Sequence, residues 1–157
     1  MDFPENFEQI LTAINNAGVE FMIAGDFAVN FHGYNRSTSD MDIWIKPIEE
    51  NKLKVFSALE IIGYPSQVLQ QVLELDFTKP FSFSVGDDPV DVDIFNHITG
   101  VSYADAEKNK IHYKWNNTLN ISFISIRDLL VNKMLTGRTK DKLDVEELQK
   151  ISALKKK

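Results

Sequence analysis

The hydrophobic positions of the chain keep two rhythms. Phe7, Ile10, Leu11 and Ile14 recur at helical spacing, which predicts a helix over 4–17 with Pro4 in its first turn and Gly18 as its stop. Phe21-Met22-Ile23-Ala24 runs without a polar break, as a strand buried on both faces does, and Gly25 ends it. Asp26 then suits the N-cap of a short helix to Phe31, which Gly33 closes. After a polar loop from Tyr34 to Ser39, Met41, Ile43 and Ile45 alternate with Asp40, Asp42 and Trp44, a strand by period-two logic that Pro47 closes. Glu49 to Ile62 reads as a helix turning Leu53, Phe56, Leu59 and Ile62 inward, and Pro65 to Leu75 as another.

The second half continues in the same way. Phe81, Phe83 and Val85 alternate with Ser82 and Ser84, Gly86-Asp87-Asp88-Pro89 is a turn, and Val90, Val92 and Ile94 alternate with Asp91, Asp93 and Phe95, giving a hairpin. A short helix is expected over 102–109. Ile111 to Trp115 and Leu119 to Ile124 flank Asn116-Asn117-Thr118 as a second hairpin. Ser125 and Asp128 resemble a capping box for a helix to Leu135 that Gly137 stops, and Thr139 caps a last helix carrying Leu143, Leu148 and Ile151. Five or six strands with helices before, between and after them make an α+β domain spanning 1–157, with a motif core at 20–100 and C-terminal helices at 125–154.

Composition narrows the classes. The chain has 157 residues, a length that fits one domain. It has no cysteine, which excludes disulfides and thiolate metal sites, and its histidines, His32, His97 and His112, lack zinc-site spacing. Seventeen basic against 23 acidic residues leave a net charge of −6, unfavourable for broad salt-driven binding to nucleic acid. No apolar run approaches the roughly 18 residues of a membrane span, and the opening M-D-F-P-E-N lacks a signal-peptide pattern. No membrane association and a cytoplasmic location are therefore expected. The closing Lys155-Lys156-Lys157 reads as a solvated tail.

Candidate chemistry begins at Asp40-Met41-Asp42. Two carboxylates at i and i+2 on a strand project from one face within roughly 7 Å of each other. A lone D-x-D is often two solvated residues on an edge strand, but Met41, Ile43, Trp44 and Ile45 are unusual flanks for one. The pair repels itself unless protonated or bridged by cations, and oxygen ligands suit Mg²⁺ or Mn²⁺. A third carboxylate from a neighbouring strand would complete a two-metal site; Asp91 and Asp93 both offer one. Gly25 permits close backbone approach, and the start of the helix after it presents free N–H groups to an anion. Lys133, on a helix beside Leu130, Val131 and Met134, either snorkels or reaches into a cleft. Arg138, Lys140, Asp141 and Asp144 read as a salt-bridge set, with phosphate as the other use of Lys140. Trp44 and Phe95 read as core or cleft wall.

The run I-A-G-D-F-A-V-N-F-H-G-Y-N-R-S-T-S-D-M-D-I-W-I resembles the nucleotidyltransferase superfamily of the polymerase-β type, whose signature is a hydrophobic residue, Gly, then Gly or Ser, and further on D-h-[DE]-h. More narrowly, H-G-Y-x-R-x-T-x-D-x-D is similar to the small nucleotidyltransferases related to AbiEii-like toxins. V-D-V-D-I-F-N-H-I-T-G looks like the family's third-carboxylate strand, and Ile124 to Leu148 like its C-terminal helical pair. The resemblance implies a palm-like nucleotidyltransferase fold, with a mixed sheet flanked by helices. It implies transfer of a nucleoside monophosphate from an NTP to an acceptor hydroxyl by two Mg²⁺ (or Mn²⁺) ions, releasing pyrophosphate. Asp40, Asp42 and Asp93 would hold the ions, with Asp91 second to Asp93. Gly25, Asp26, Arg36, Thr38, Lys133 and Lys140 would meet the nucleotide. The acceptor stays open among tRNA, a protein hydroxyl and a small molecule, and a toxin-like role with a helical partner protein is implied.

One position departs from the pattern: Asp26 stands where the family has Gly or Ser. It is either a helix cap or an obstruction to phosphate. The obstruction gives the alternative reading, a catalytically impaired nucleotide- or partner-binding module, antitoxin or regulatory, of the same fold. A haloacid-type phosphatase or a D-x-D glycosyltransferase fits less well, because Ile43-Trp44 follows the D-x-D.

Overall fold

A computed structural model describes residues 5–38, 40–86, 91–115 and 117–155. The expected places of Pro4, Ser39, the 87–89 turn, Val90, Asn116 and the last two lysines lie outside them. The described elements run α1 (Glu5–Asn16), β1 (Phe21–Ala24), α2 (Gly25–Phe31), β2 (Asp40–Ile45), α3 (Glu50–Ile62), α4 (Ser66–Glu74) and β3 (Ser82–Val85). There follow β4 (Asp91–Phe95), α5 (Tyr103–Glu107), β5 (Ile111–Trp115), β6 (Leu119–Phe123), α6 (Ile126–Thr136) and α7 (Thr139–Lys155). Each expected element is present, with ends shifted by a few residues. No helix among the described residues is long and apolar enough to cross a membrane.

The six strands form one mixed sheet in the order β3-β4-β2-β1-β6-β5. Both hairpins form as antiparallel pairs, and β1 pairs antiparallel with β2. Two pairings are parallel, β1 with β6 and β2 with β4. The central strand β1 is buried along its whole length, as its unbroken apolar run requires. A twelve-residue helix such as α1 is marginal alone. It holds because Phe7, Ile10, Leu11 and Ile14 are all buried, each contributing about 1.5–3 kcal/mol. Helix α3 packs against α1 and α4, and α6 against α2 and α7. The two groups touch where the Phe7 and Phe27 rings meet edge to face at 5.1 Å.

Helix α3 keeps most of the expected face, with Leu59 buried and Phe56 and Ile62 packed against the core, but Leu53 departs from it. Leu53 is 65% exposed, whereas Asn51, Val55, Ala58 and Leu59 are buried. The polar Asn51 takes an inward position because its amide closes three bonds at once. It accepts from the Glu20 N–H (3.0 Å) and donates to the carbonyls of Glu20 (2.9 Å) and Lys46 (3.0 Å). The ends of β1 and β2 are thereby tied to α3. Asn96 does the same after β4, accepting from the Phe81 N–H and donating to the carbonyls of Phe77 and Lys79. Helix α7 also turns otherwise than expected: Leu148 is buried, but Leu143 is 56% exposed and Asp141 and Asp144 point inward.

Asn51→Leu should lower unfolding free energy by about 2–4 kcal/mol, because it strands buried backbone groups without partners. Chemical denaturation followed by circular dichroism measures it, and a loss under about 0.5 kcal/mol, the range of ordinary surface changes, would refute the pegging role.

Candidate active site

Strand β2 lies between β1 and β4, and its register with β4 builds the acidic part of the site. Asp40 pairs with Asp91 and Asp42 with Asp93. Residues paired directly across parallel strands share a face, with strands about 4.8 Å apart. Four carboxylates therefore occupy one face in a two-by-two arrangement. The opposite faces carry Met41, Ile43, Val92 and Ile94, all buried. Asp40 is exposed and the other three are half-buried. Ser84, the register partner of Asp93 on β3, donates its hydroxyl to Asp93 Oδ1. Sequence reading had not singled Ser84 out, although the Ser82/Ser84 alternation was its available signal.

Gly25 is dictated by Asp42. Ala24 pairs with Asp42 across β1 and β2, and the chain turns at Gly25 with φ +60°. A Cβ there would overlap the Asp42 carboxylate, lying 2.8 Å from its Cγ and 3.0 Å from its Cβ. Only glycine satisfies both the dihedral and the space.

Asp26 is not the cap of α2. The N-cap is Ala24, which makes no side-chain cap bond, and Asp26 lies in the first turn. Its carboxylate is drawn instead to three cations: Arg36 Nη2 at 2.8 Å, Lys140 Nζ at 3.1 Å and Lys133 Nζ at 3.4 Å. Burial acts to raise its pKa, but the Arg36 hydrogen bond, the Lys133 charge and the Lys140 hydrogen bond outweigh it and hold the group down at about 2. Ion pairing outcompetes capping here because each contact is charge-assisted.

These cations belong to a larger cluster. Lys133 is 2% exposed and reaches Asp144 at 3.1 Å and Asp141 at 3.2 Å as well as Asp26. It reaches inward and does not snorkel. Arg36 grips Asp144 through Nε and Nη2, both at 2.8 Å. Asp141 is fully buried and accepts from Thr136, the Arg138 backbone and the Arg138 guanidinium. Burial pushes its pKa up, yet the Arg138 and Thr136 bonds and the Lys133 charge hold it well below the usual range. The expected set of Arg138, Lys140, Asp141 and Asp144 thus exists in altered pairing, since Lys140 bonds Asp26 and Asp144 bonds Arg36 and Lys133. Thr38 stays outside the cluster and donates to the Asp40 carbonyl at 3.1 Å. His32, buried, donates Nε2–H to the Ile124 carbonyl at 2.7 Å. This latches the end of α2 to the start of α6, and burial keeps its pKa below the ordinary value. Trp44 is fully buried against Tyr103, so it is core.

Asp42 lies between the two halves. Burial, then the charges of Asp93 and Asp26, push its pKa up to about 6, and Lys133 and Lys140 only partly oppose them. The acidic face thus carries more negative charge than its surroundings compensate. Among the described residues, no three His, Asp or Glu side chains converge as a finished metal cage. The donor set is nevertheless all oxygen, and its charge surplus matches a hard divalent cation, so the residues fit Mg²⁺ or Mn²⁺ in donor type and charge.

No protein-family profile and no curated protein sequence matches the chain. Among solved structures it is similar to ANT(2")-Ia in complex with adenylyl-2"-tobramycin, with a TM-score of 0.52 and 12% identity over 95% of this chain and 92% of that one. That likeness shows the fold alone, a mixed sheet flanked by helices that the two structures share.

Lys133→Met should cost about 3–5 kcal/mol of stability, since it leaves inward carboxylates uncompensated; denaturant titration reads it, and a neutral outcome would show the cluster to be energetically idle. The raised pKa of Asp42 also has a sign. A group with a folded pKa near 6 against roughly 3.9 unfolded contributes stability that is complete below about pH 4 and lost as pH rises through about 6. In metal-free buffer, Asp42→Asn should therefore gain on the unsubstituted protein by about 2–3 kcal/mol between pH 4 and 7. The His32 contribution is common to both proteins and cancels. Parallel stability curves would contradict it.

Proposed function

We propose that the protein transfers a nucleoside monophosphate from an NTP to an acceptor hydroxyl and releases pyrophosphate. The observation that carries this reading is the register that sets Asp40 and Asp42 beside Asp91 and Asp93, next to a cluster of cations. Asp40, Asp42 and Asp93 would hold Mg²⁺ or Mn²⁺, which when bound neutralises phosphate charge and polarises the α-phosphate. Arg36, Lys133 and Lys140 hold the polyphosphate end, Gly25 lets the backbone approach it, and Thr38 fixes the start of the D-x-D strand through the Asp40 carbonyl. Asp93, steadied by Ser84, accepts the proton of the acceptor hydroxyl. The acceptor oxygen bonds to the α-phosphorus as the bond to the bridging oxygen breaks, and pyrophosphate leaves with that electron pair.

The adenylylated compound bound to the similar structure supports a small-molecule acceptor as one class, beside tRNA and protein hydroxyls. A toxin-like role of the AbiEii-related kind, a helical partner protein and a cytoplasmic setting belong to the same reading.

One observation favours a second reading. Asp26 already engages all three cations of the polyphosphate end, as a nucleotide- or partner-binding module without turnover, antitoxin or regulatory, would have it. Calorimetry with a non-hydrolysable NTP and Mg²⁺ separates binding from turnover.

Incubation with each NTP labelled at the α-phosphate, Mg²⁺ and a cell extract should label one acceptor, and chelation of the metal should abolish the label. Asp40→Ala and Asp42→Ala should each reduce labelling by about a thousandfold, the scale set by losing electrostatic stabilisation of transferred phosphate. Full labelling by either variant would sink the transfer reading.

A further inference from the structure

We propose that Arg36, Lys133 and Lys140 form a polyphosphate seat that the free protein fills with its own Asp26 carboxylate, so that a pyrophosphate-bearing ligand binds by displacing that carboxylate. The proposal rests on the transfer reading for the ligand's being a nucleotide; the seat itself rests on the ion pairs.

Three separate elements send a cation to Asp26. Arg36 comes from the loop after α2, Lys133 from α6 and Lys140 from the first turn of α7, at 2.8, 3.4 and 3.1 Å. They are asymmetric. Arg36 and Lys133 have second partners in Asp144 and Asp141, whereas Lys140 is half exposed, and the partner it reaches is Asp26. Removing Asp26 from the count leaves Arg36, Lys133, Arg138 and Lys140 against Asp141 and Asp144, so four positive charges face two negative ones. That is an excess of two positive charges, with Lys133 buried and Lys140 and Arg138 open to solvent, and one carboxylate offsets only half of it. Pyrophosphate carries more charge and more acceptor oxygens than a carboxylate, and lysine and arginine clusters favour it on both grounds.

Position supports displacement as well. The Asp26 side chain keeps 14% of its surface accessible, so a ligand can reach it from solvent. Asp26 directly follows Gly25, whose Cα abuts the Asp42 carboxylate, so an anion in its place would lie beside the acidic face and in reach of the cations. That is where the pyrophosphate end of an NTP belongs if the α-phosphate is to meet Asp42 and Asp93. Asp26 then acts as an internal competitor that sets nucleotide affinity.

Calorimetric titration with inorganic pyrophosphate, in metal-free buffer at low salt, tests the seat without any turnover. Asp26→Asn, close in shape but uncharged, should bind pyrophosphate at least about tenfold more tightly than the unsubstituted protein, equivalent to about 1.4 kcal/mol. Adding Lys140→Ala to it should remove the gain. Asp26→Ser serves as a second variant with the same expected gain. Equal or weaker binding by the folded variants would overturn the proposal, and would be the result if Asp26 were merely structural. The unsubstituted protein gives an independent readout: the Asp26 side-chain carboxyl carbon, followed by NMR, should move at saturating pyrophosphate. An unmoved Asp26 at saturation refutes displacement whatever the variants do. If Asp26→Asn gains pyrophosphate while no acceptor is ever labelled, the seat stands and the transfer chemistry falls; labelling without the gain removes the seat alone.

Discussion

An ammonium group held almost out of water governs how the C-terminal helices meet the rest of the chain. Lys133 is 2% exposed, and a buried charge costs several kcal/mol unless partners surround it. Those partners come from α2 and α7, as Asp26, Asp141 and Asp144. The requirement explains the roll of α7. Turning Asp141 and Asp144 inward leaves Leu143 in water, which apolar burial alone would forbid, but an uncompensated ammonium costs more than one exposed leucine. Ionic groups of this kind are better understood as specifying an arrangement than as adding net stability. Here the arrangement specified is the convergence of a loop, two helices and the turn after β1.

Charge is divided unevenly across that convergence. Asp26 draws the cations and its pKa falls; Asp42, next to it, is left with Asp93 and burial, and its pKa rises. Two aspartates in one site are thus pushed in opposite directions by their surroundings, which is how a site keeps one carboxylate permanently ionised and another eager for a counter-ion. Lys133 and Lys140 are engaged by Asp26, and their charges only partly offset those around Asp42.

The sheet was largely legible in the amino-acid sequence. Period-two alternation and turn residues marked β2, β3 and β4, and the D-x-D pairs on β2 and β4 fell on one face because their side-chain period is fixed by the strand itself. What periodicity could not convey was polar geometry between distant segments. Arg36 meets Asp144, and Lys133 meets Asp26, across more than a hundred residues, and no local pattern encodes such a pair. Asp26 looked like a cap because its neighbours suit one, yet Arg36 ten residues on and lysines 107 and 114 residues away decide its role. Asn51 on α3 was missed for a related reason: an inward amide breaks the apolar stripe, and its worth lies in backbone groups of other elements.

The pairing of β2 with β4 has one more consequence, for the kinds of change this chain can survive in evolution. Along β4 each aspartate alternates with an aliphatic residue, and Asn96 anchors the strand's far end to the 77–81 segment. A point substitution alters one corner of the acidic face. A single-residue insertion between Ile94 and the anchor would slide Ile94 opposite Asp42 and Val92 opposite Asp40, exchanging carboxylates for alkyl groups while every backbone bond of the ladder could still form. Descendants of this protein should therefore vary in residue identity far more freely than in spacing here, and loss of one codon could silence the site while leaving the sheet intact.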